Sequence, residues 1–369
     1  MELSEVVSDG PVECQVLGLK FVLFRDTRGM AHCLSNICTH RGGALANGKL
    51  RKDCVECCYH GWQFNGEGEC VKIPSIGNNG KVPPRTRTDA YPVQEKWGII
   101  FAFLGDLPEA ERPPIMEVKE EDQEGWMYTV QSWKVRCNFE RSVENALDPA
   151  HNEFVHPTHG FSGDRDDYNV PEYEPIEQDW GTGFMTTFVS GGLPDEKMKH
   201  MKPGKSEMEA GSGHHGPNHI WTFIHFNDQH WMHQYLFEAP VDENNIIVFL
   251  VNYRNTMLDQ SLDERIITRN YEVAEQDIAV LEALQPNLTP PNLTHEVMMP
   301  ADRCIVRYRE HLNDWDARGW RIDMDEFNRT KNKKAYAIPS PARRNRKGWV
   351  IDPVPLITPE GVKAKQAAE

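Results

Sequence analysis

Cys38-Thr39-His40-Arg41-Gly42-Gly43, followed by Cys57-Cys58-Tyr59-His60-Gly61-Trp62, is the stretch on which the reading of this chain depends. Each segment offers one thiol and one imidazole close together, Cys38 with His40 and Cys57 with His60. Thiolates favour iron-sulfur clusters or zinc, and imidazoles favour zinc or iron. Each pair sits on its own loop, so two loops can clamp one bound object from both sides. Gly42 and Gly43 carry no side chain, which permits tight backbone geometry around that object. Two metal readings stand on residue types alone. One is a two-iron cluster with two histidines in place of two cysteines on one iron. The other is tetrahedral zinc drawn from Cys38, His40, Cys54, Cys57, Cys58 and His60.

The surrounding composition agrees with a metal centre. The nine cysteines are odd in number and unevenly spaced, and Cys14, Cys33, Cys38, Cys54, Cys57, Cys58 and Cys70 crowd the beginning of the chain. That pattern points to a metal centre in a reduced compartment more than to a disulfide scaffold. Cys54, Cys58 and Cys70 read otherwise as small buried or half-buried thiols.

The paired motif closely resembles the Rieske cluster-binding motif. By that resemblance Cys38 and Cys57 hold one iron of a [2Fe-2S] cluster, and His40 and His60 hold the other. Gly61 and Trp62 match the usual continuation. A Rieske domain alone would be an electron carrier, but the chain has 369 residues. Two domains are expected at that length, and the long stretch after the cluster motif needs a role of its own.

A second constellation lies in that stretch. Asp148, His151 and His156 form a DxxHxxxxH pattern preceded by Glu144-Asn145. Five residues do not return a regular helix to the same face, so a helix distortion or end near Pro157 is needed to bring both rings to one metal. Read alone, the two histidines fit surface or core positions equally well. Asp259 to Leu284 has the strongest helical pattern in the chain. Ile266, Asn270, Val273, Asp277, Val280, Leu281 and Leu284 form its core-facing stripe, while Glu272, Glu275 and Glu282 fall toward the outside. An acid on such a stripe needs a partner or a metal. Two histidines and one carboxylate leave open positions on an iron.

This segment resembles the mononuclear-iron region of Rieske non-haem iron aromatic-ring-hydroxylating oxygenases, oxygenase component alpha subunit. The resemblance implies His151, His156 and Asp277 as iron ligands. It implies Asp148 as a bridging carboxylate between His151 and a cluster histidine, His60 of the partner subunit, in a homotrimer. The alternative for Asp148 is a helix cap before Pro149. The expected fold is α+β, with an N-terminal all-β Rieske [2Fe-2S] domain at 1–115. A catalytic domain at 116–369 follows, helix-grip-like, with an antiparallel sheet and helices holding mononuclear iron.

The expected function is that of a terminal oxygenase, hydroxylating or oxidatively demethylating an aromatic or other cyclic substrate with O₂. Ring cis-dihydroxylation, a Rieske electron-transfer protein and a zinc-binding sensory protein are the alternatives. Electrons come ultimately from NAD(P)H through a ferredoxin, a flavin-dependent reductase or both, because no GxGxxG segment runs from an expected strand into an expected helix to bind the nicotinamide.

The net charge of -16 argues against a nucleic-acid partner and suits steering of a basic redox partner. The basic run Ala342 to Lys347 reads as a solvated turn or as a docking patch for an acidic protein. No leader segment and no stretch long enough to span a membrane are visible, so the cytoplasm is expected. The family's tryptophan-rich opening is shortened or absent here, which leaves open how the first sheet edge is completed.

Short strands are expected from Val16 to Leu104, and one helix from Phe139 to Phe154. Loop is expected from Gly160 to Ser212 around a strand at Phe184 to Val189. Strands follow at His219 to Phe226, Trp231 to Phe237 and Asn245 to Tyr253. Pro286, Pro290 and Pro291 end the long helix. Phe223, Phe226, Trp231, Tyr235 and Phe237 are candidates for an aromatic pocket wall or for core. His225, Asn227, His230 and His233 are candidates to orient a polar group.

Overall fold

The computed structural model describes residues 1–290 and 293–360. Pro291 lies outside the described residues. The chain forms two compact units, Met1–Arg112 with Gly319–Thr358, and Pro113–Arg318 with the chain from Pro359 onward.

The first unit is built from small antiparallel sheets. Val12–Val16 and Leu19–Arg25 form a hairpin through Leu17-Gly18, both at positive φ, and Ala31–Ser35 and Ala90–Tyr91 extend that sheet. A second four-stranded sheet runs Lys49–Arg51, Cys54–Glu56, Gln63–Asn65 and Cys70–Lys72. The first cluster-motif loop precedes this sheet, and the second connects Cys54–Glu56 to Gln63–Asn65. Glu2–Leu3 pairs with Ile99 and Ile100 at the edge of a third sheet. The cores differ in origin. Val22, Phe24, Leu34, Leu45, Val55 and Phe64 pack together with Cys38 and Cys57. Phe21, Leu23 and Ile100 pack instead with Ile322, Phe327, Tyr336, Ile338 and Val354.

That second core differs from the expected boundary. Residues 319–358 were assigned to the catalytic domain by the linear division at 115, yet their apolar side chains close the first unit. The basic run sits in the same returning segment and is not a free patch. Arg343 pairs with the buried Asp89, Arg344 with Asp106, and Arg346 with Glu69. Its three arginines are paired within the unit.

The second unit is one seven-stranded antiparallel sheet covered by helices. The strand order is Met127–Val135, Asn245–Arg254, Trp231–Asp242, His219–His225, Ser206–His215, Gly181–Ser190 and Ile176–Gln178. Asn245–Arg254 is buried along nearly its whole length, which explains its unbroken run of apolar residues. Ser206–His215 is a full strand where loop was expected. Its polar, glycine-bearing sequence lacks apolar alternation, but its backbone pairs on both sides, with Gly181–Ser190 and with His219–His225.

The expected single helix at Phe139 to Phe154 is two. Helix α1 spans Phe139–Ala146, capped by the Asn138 side chain, which accepts from the Glu140 amide at 3.0 Å. Pro149 has no N–H to continue the ladder and disfavours helical geometry at Asp148. The chain restarts as the one-turn helix α2, Asn152–Val155. Helix α3, Asp263–Leu281, is the long helix of the unit. Helix α4, Arg303–Asp316, ties back to α1, where Arg309 and Arg141 enclose the buried Glu144 together with Glu296. No described helix is long and apolar enough to cross a membrane.

Candidate metal centres and substrate cavity

The two cluster-motif loops have matching backbones. In the first, the Cys38 amide donates to Gly43 O at 2.8 Å and the Gly42 amide donates to Cys38 O at 2.9 Å. In the second, the Cys57 amide donates to Trp62 O at 2.8 Å and the Gly61 amide to Cys57 O at 3.0 Å. Gly42 and Gly61 occupy the same place in each loop, at φ 73° and 69°, where a side chain would be strained. A Cβ on Gly43 would stand 3.1 Å from Cys57 Sγ.

These loops bury both thiols and leave both imidazoles at the surface. Cys38 lies against Cys57, and burial pushes the Cys38 thiol up to about 12. His40 Nδ1 and His60 Nδ1 are 3.1 Å apart, and Trp62 stacks on the His40 ring. Cys58 is exposed, and Cys54 and Cys70 belong to strands. All nine cysteines are free. Two inward thiols and two facing imidazoles fit a cluster with sulfur donors on one iron and nitrogen donors on the other.

The second centre arises from the helix break. His151 immediately precedes α2 and His156 immediately follows it. The five-residue spacing therefore closes across a one-turn helix with irregular ends, and the decisive proline is Pro149 as well as Pro157. His151 Nε2 and His156 Nε2 are 3.1 Å apart. Asp277 reaches in from α3, with Oδ1 3.3 Å from His156 Nε2 and 3.6 Å from His151 Nε2. Among the described residues, these three form the one group of ligand atoms close enough to hold a metal ion.

Both imidazoles are oriented from behind. His151 Nδ1 donates to the Asp148 backbone carbonyl at 2.6 Å, and His156 Nδ1 donates to Gln276 Oε1 at 3.1 Å. Each Nε2 is thereby left unprotonated toward the site, as metal binding requires. Asn145 Nδ2 donates to Asp277 Oδ1 at 3.0 Å. Burial opposes charge on Asp277, but the neighbouring His156 and His151 imidazoles outweigh it and hold the carboxyl below its usual range. Burial pushes His151 down. For His156 the Asp277 contact outweighs burial and raises it. Two neutral nitrogens and one carboxylate oxygen fit a mononuclear iron.

Asp148 uses Oδ1 to accept from the Ala150 amide at 2.7 Å, and its Oδ2 stands 3.9 Å from His151 Nδ1. Burial raises its carboxyl. Asn145 and Gln276 were overlooked as functional residues in the sequence. Their signal was adjacency, since Gln276 precedes Asp277 and Asn145 lies one turn from Asp148. Asn145→Ala is expected to loosen Asp277 and lower mononuclear-metal affinity by about 10–100-fold, the usual cost of losing such a supporting contact. Metal titration of the variant, with the cluster spectrum as the internal standard, checks it.

The triad opens onto a cavity of about 170 Å³. Its walls include Phe161, Phe184, Phe188, Ile224, Leu236 and Leu250. None of Phe223, Phe226, Trp231, Tyr235 and Phe237 lines it, nor do His225, Asn227, His230 and His233. Side chains alternate across a strand, and the inward parity belongs to Ile220, Thr222 and Ile224, then to Gln234, Leu236 and Glu238. Several of the expected residues build a network away from the cavity, where His233 Nδ1 is 2.6 Å from Glu120 Oε1 and Tyr235 donates to Glu120 Oε2.

Comparisons with known proteins follow the same division. Residues 1–92 match the Rieske [2Fe-2S] domain family, and residues 135–318 match the vanillate O-demethylase oxygenase C-terminal domain family. The chain is 34% identical over 155 residues to the iron-sulfur subunit TsaM1 of the toluene-4-sulfonate monooxygenase system of Comamonas testosteroni, covering 42% of this chain and 44% of that one. It is 28% identical over 243 residues to the 4beta-methylsterol monooxygenase of Methylococcus capsulatus, covering 63% of this chain and 61% of that one. The chain thus spans less than two thirds of the length of these curated relatives. Among solved structures, NdmA of Pseudomonas putida CBB5 superposes with a TM-score of 0.70 at 20% identity, over 86% of this chain and 89% of that one. Dicamba monooxygenase bound to 3,6-dichlorosalicylic acid gives a TM-score of 0.71 at 21% identity, over 85% and 94%. With its cluster loops, its two-histidine, one-aspartate centre and these matches, the chain is a Rieske domain joined to an oxygenase domain, matching the Rieske non-haem iron aromatic-ring-hydroxylating oxygenase family, alpha subunit.

Proposed function

We propose that this chain is a terminal oxygenase that uses O₂ and delivered electrons to hydroxylate or oxidatively demethylate an aromatic or other cyclic substrate. The observation that carries the reading is the His151–His156–Asp277 triad at the edge of an apolar cavity, in a chain that also holds two buried thiols and two facing imidazoles. Cys38, His40, Cys57 and His60 would hold the cluster, and His151, His156 and Asp277 the mononuclear iron. When bound, the cluster supplies one-electron transfer and the iron supplies O₂ activation.

The chain's own residues do the rest. The Asp148 carbonyl and Gln276 hold the imidazole tautomers, Asn145 holds the carboxylate, and the apolar walls keep water from the reacting centre. Asp148 is the coupling residue in this reading, joining His151 to His60 of the partner subunit in a homotrimer. Its second carboxylate oxygen supports that role. Electrons would start from NAD(P)H and arrive through a flavin-dependent reductase, a ferredoxin or both, in the cytoplasm. Relatives named as monooxygenases support single-oxygen insertion. Ring cis-dihydroxylation is the second reading, supported by relatives named as dioxygenases of chlorobenzoate and phenoxybenzoate.

The test is metal and acid-labile sulfide content joined to low-temperature EPR of the dithionite-reduced protein. About three irons and two sulfides per chain, with a Rieske signal, are expected. Oxygen-dependent product formation with a surrogate reductase then completes it. Zinc without sulfide would overturn the oxygenase reading, and a cluster that never accompanies turnover or mononuclear iron would reduce it to electron transfer.

A further inference from the structure

The polar groups of the cavity are all of one electrical kind. Among its described lining residues there is no lysine and no arginine. His159 is the histidine there outside the triad. The remaining polar lining beyond the triad's surroundings is Ser142, Ser212, Thr222, Gln234, Asn270 and Glu238. The walls themselves therefore give an anionic substrate no counter-charge, which leaves a metal on the triad as the one cation such a substrate would meet among the described lining.

Glu238 is the exception among these groups because it is incompletely used. It is 2% exposed and lies on the inward parity of its strand with Gln234 and Leu236. Ser142 donates to its Oε1 at 2.5 Å. Its Oε2 is buried with no hydrogen-bond partner. Buried polar atoms are nearly always paired, so an orphan on a residue that lines a cavity marks a place for a ligand atom. Ser142 stands on α1 one turn before Asn145, which holds Asp277, so the orphan is linked through one short helix to the metal triad.

The protonation state decides what Oε2 offers. Burial pushes Glu238 up to about 8, so near neutral pH it keeps its proton. Cys137, the titratable neighbour that feels it, is itself pushed up by burial and is uncharged. Since Oε1 accepts from Ser142, the proton belongs on Oε2, a donor with no acceptor.

We infer that Glu238 Oε2 is the polar anchor for an uncharged cyclic substrate bearing a hydrogen-bond acceptor such as a ring carbonyl, and that the cavity favours it over carboxylates and sulfonates, to which the walls give no counter-charge. The inference rests on the oxygenase reading for what happens to that substrate, but it concerns binding alone.

Calorimetric titration of the iron-loaded full chain with 1-tetralone, tetralin and 1-naphthoate tests it. These probes share a bicyclic frame and differ in carrying a carbonyl, nothing polar, or an anion. 1-Tetralone is expected to bind at least about tenfold more tightly than either, the span of one buried hydrogen bond. Glu238→Leu should bring 1-tetralone down to the tetralin level and leave tetralin unchanged, and Glu238→Gln, which keeps a donor, should recover most of the difference. Circular dichroism and the retained mononuclear iron show whether the second unit of each variant is folded. If Glu238→Leu does not fold, the Glu238→Gln titration decides, because it must still prefer 1-tetralone to 1-naphthoate. Equal or tighter binding of 1-naphthoate, absence of 1-tetralone binding, or an unchanged 1-tetralone affinity in folded Glu238→Leu would overturn the inference. Because no turnover is read, a chain that shows the 1-tetralone preference yet never oxygenates refutes the oxygenase reading alone.

Discussion

Asp277→Ala is expected to empty the mononuclear site and reduce turnover by at least about a hundredfold, with the cluster's EPR signal unchanged. Asp277 is the one anionic member of the triad, and its Oδ1 lies within 3.6 Å of both histidine Nε2 atoms. Without it, a dication would face two neutral imidazoles in a largely buried setting. Loss of a mere supporting contact costs about 10–100-fold in affinity or activity, so loss of the carboxylate itself should exceed that. The variant also frees Asn145 from its partner. Asp277→Asn keeps the shape and removes the charge, which separates electrostatics from packing. Iron per chain, sulfide per chain and reductase-coupled turnover are the three readings. An Asp277→Ala protein retaining the native iron count and rate would remove Asp277 from the ligand set.

Arg343→Ala is expected to destabilise the first unit by about 3–5 kcal/mol, the range for stripping one partner from a buried ion pair. Asp89 is fully buried and accepts from Arg343 Nε and Nη2, both at 2.7 Å, and from the Ser340 amide and hydroxyl. Removing the guanidinium leaves a buried carboxylate with only Ser340 to stabilise it. Denaturant unfolding followed at the cluster's visible absorbance reports this unit separately from the other. The double variant Asp89→Asn with Arg343→Leu should recover much of the loss, because no unpaired charge remains. A shift below about 0.5 kcal/mol in Arg343→Ala would mean that the pair is exposed to solvent.

Both predictions bear on what could be read from sequence. The candidate ligands were legible because metal chemistry restricts residue types and spacing: a Cys-His pair on each of two loops, and an acid on an apolar helical stripe. Arg343 was not legible in the same way. A run of arginines at 343, 344 and 346 looks solvated unless each partner is known, and Asp89, Asp106 and Glu69 are far away in sequence. The cavity wall was not legible for another reason. Alternation identifies two faces of a strand, but when both faces are covered it does not say which one meets the cavity. Phe223 was a candidate for wall or core, yet Ile220, Thr222 and Ile224 line the cavity, while Phe226, Tyr235 and Phe237 are core. The bend that unites His151 and His156 was expected near Pro157, whereas Pro149 supplies the first break.

The return of residues 319–358 to the first unit has a consequence for biosynthesis. The catalytic unit is an insertion within the other unit's chain, so the ribosome releases it while its host is still incomplete. The core around Cys38 and Cys57 draws only on early residues and can assemble first. The core of Phe21, Leu23 and Ile100 must wait for Ile322, Phe327, Tyr336, Ile338 and Val354. A fragment ending at Arg112 would therefore carry both cluster loops and an open apolar face, and an electron-transfer module cut from this protein needs its late-made strap supplied in the same molecule.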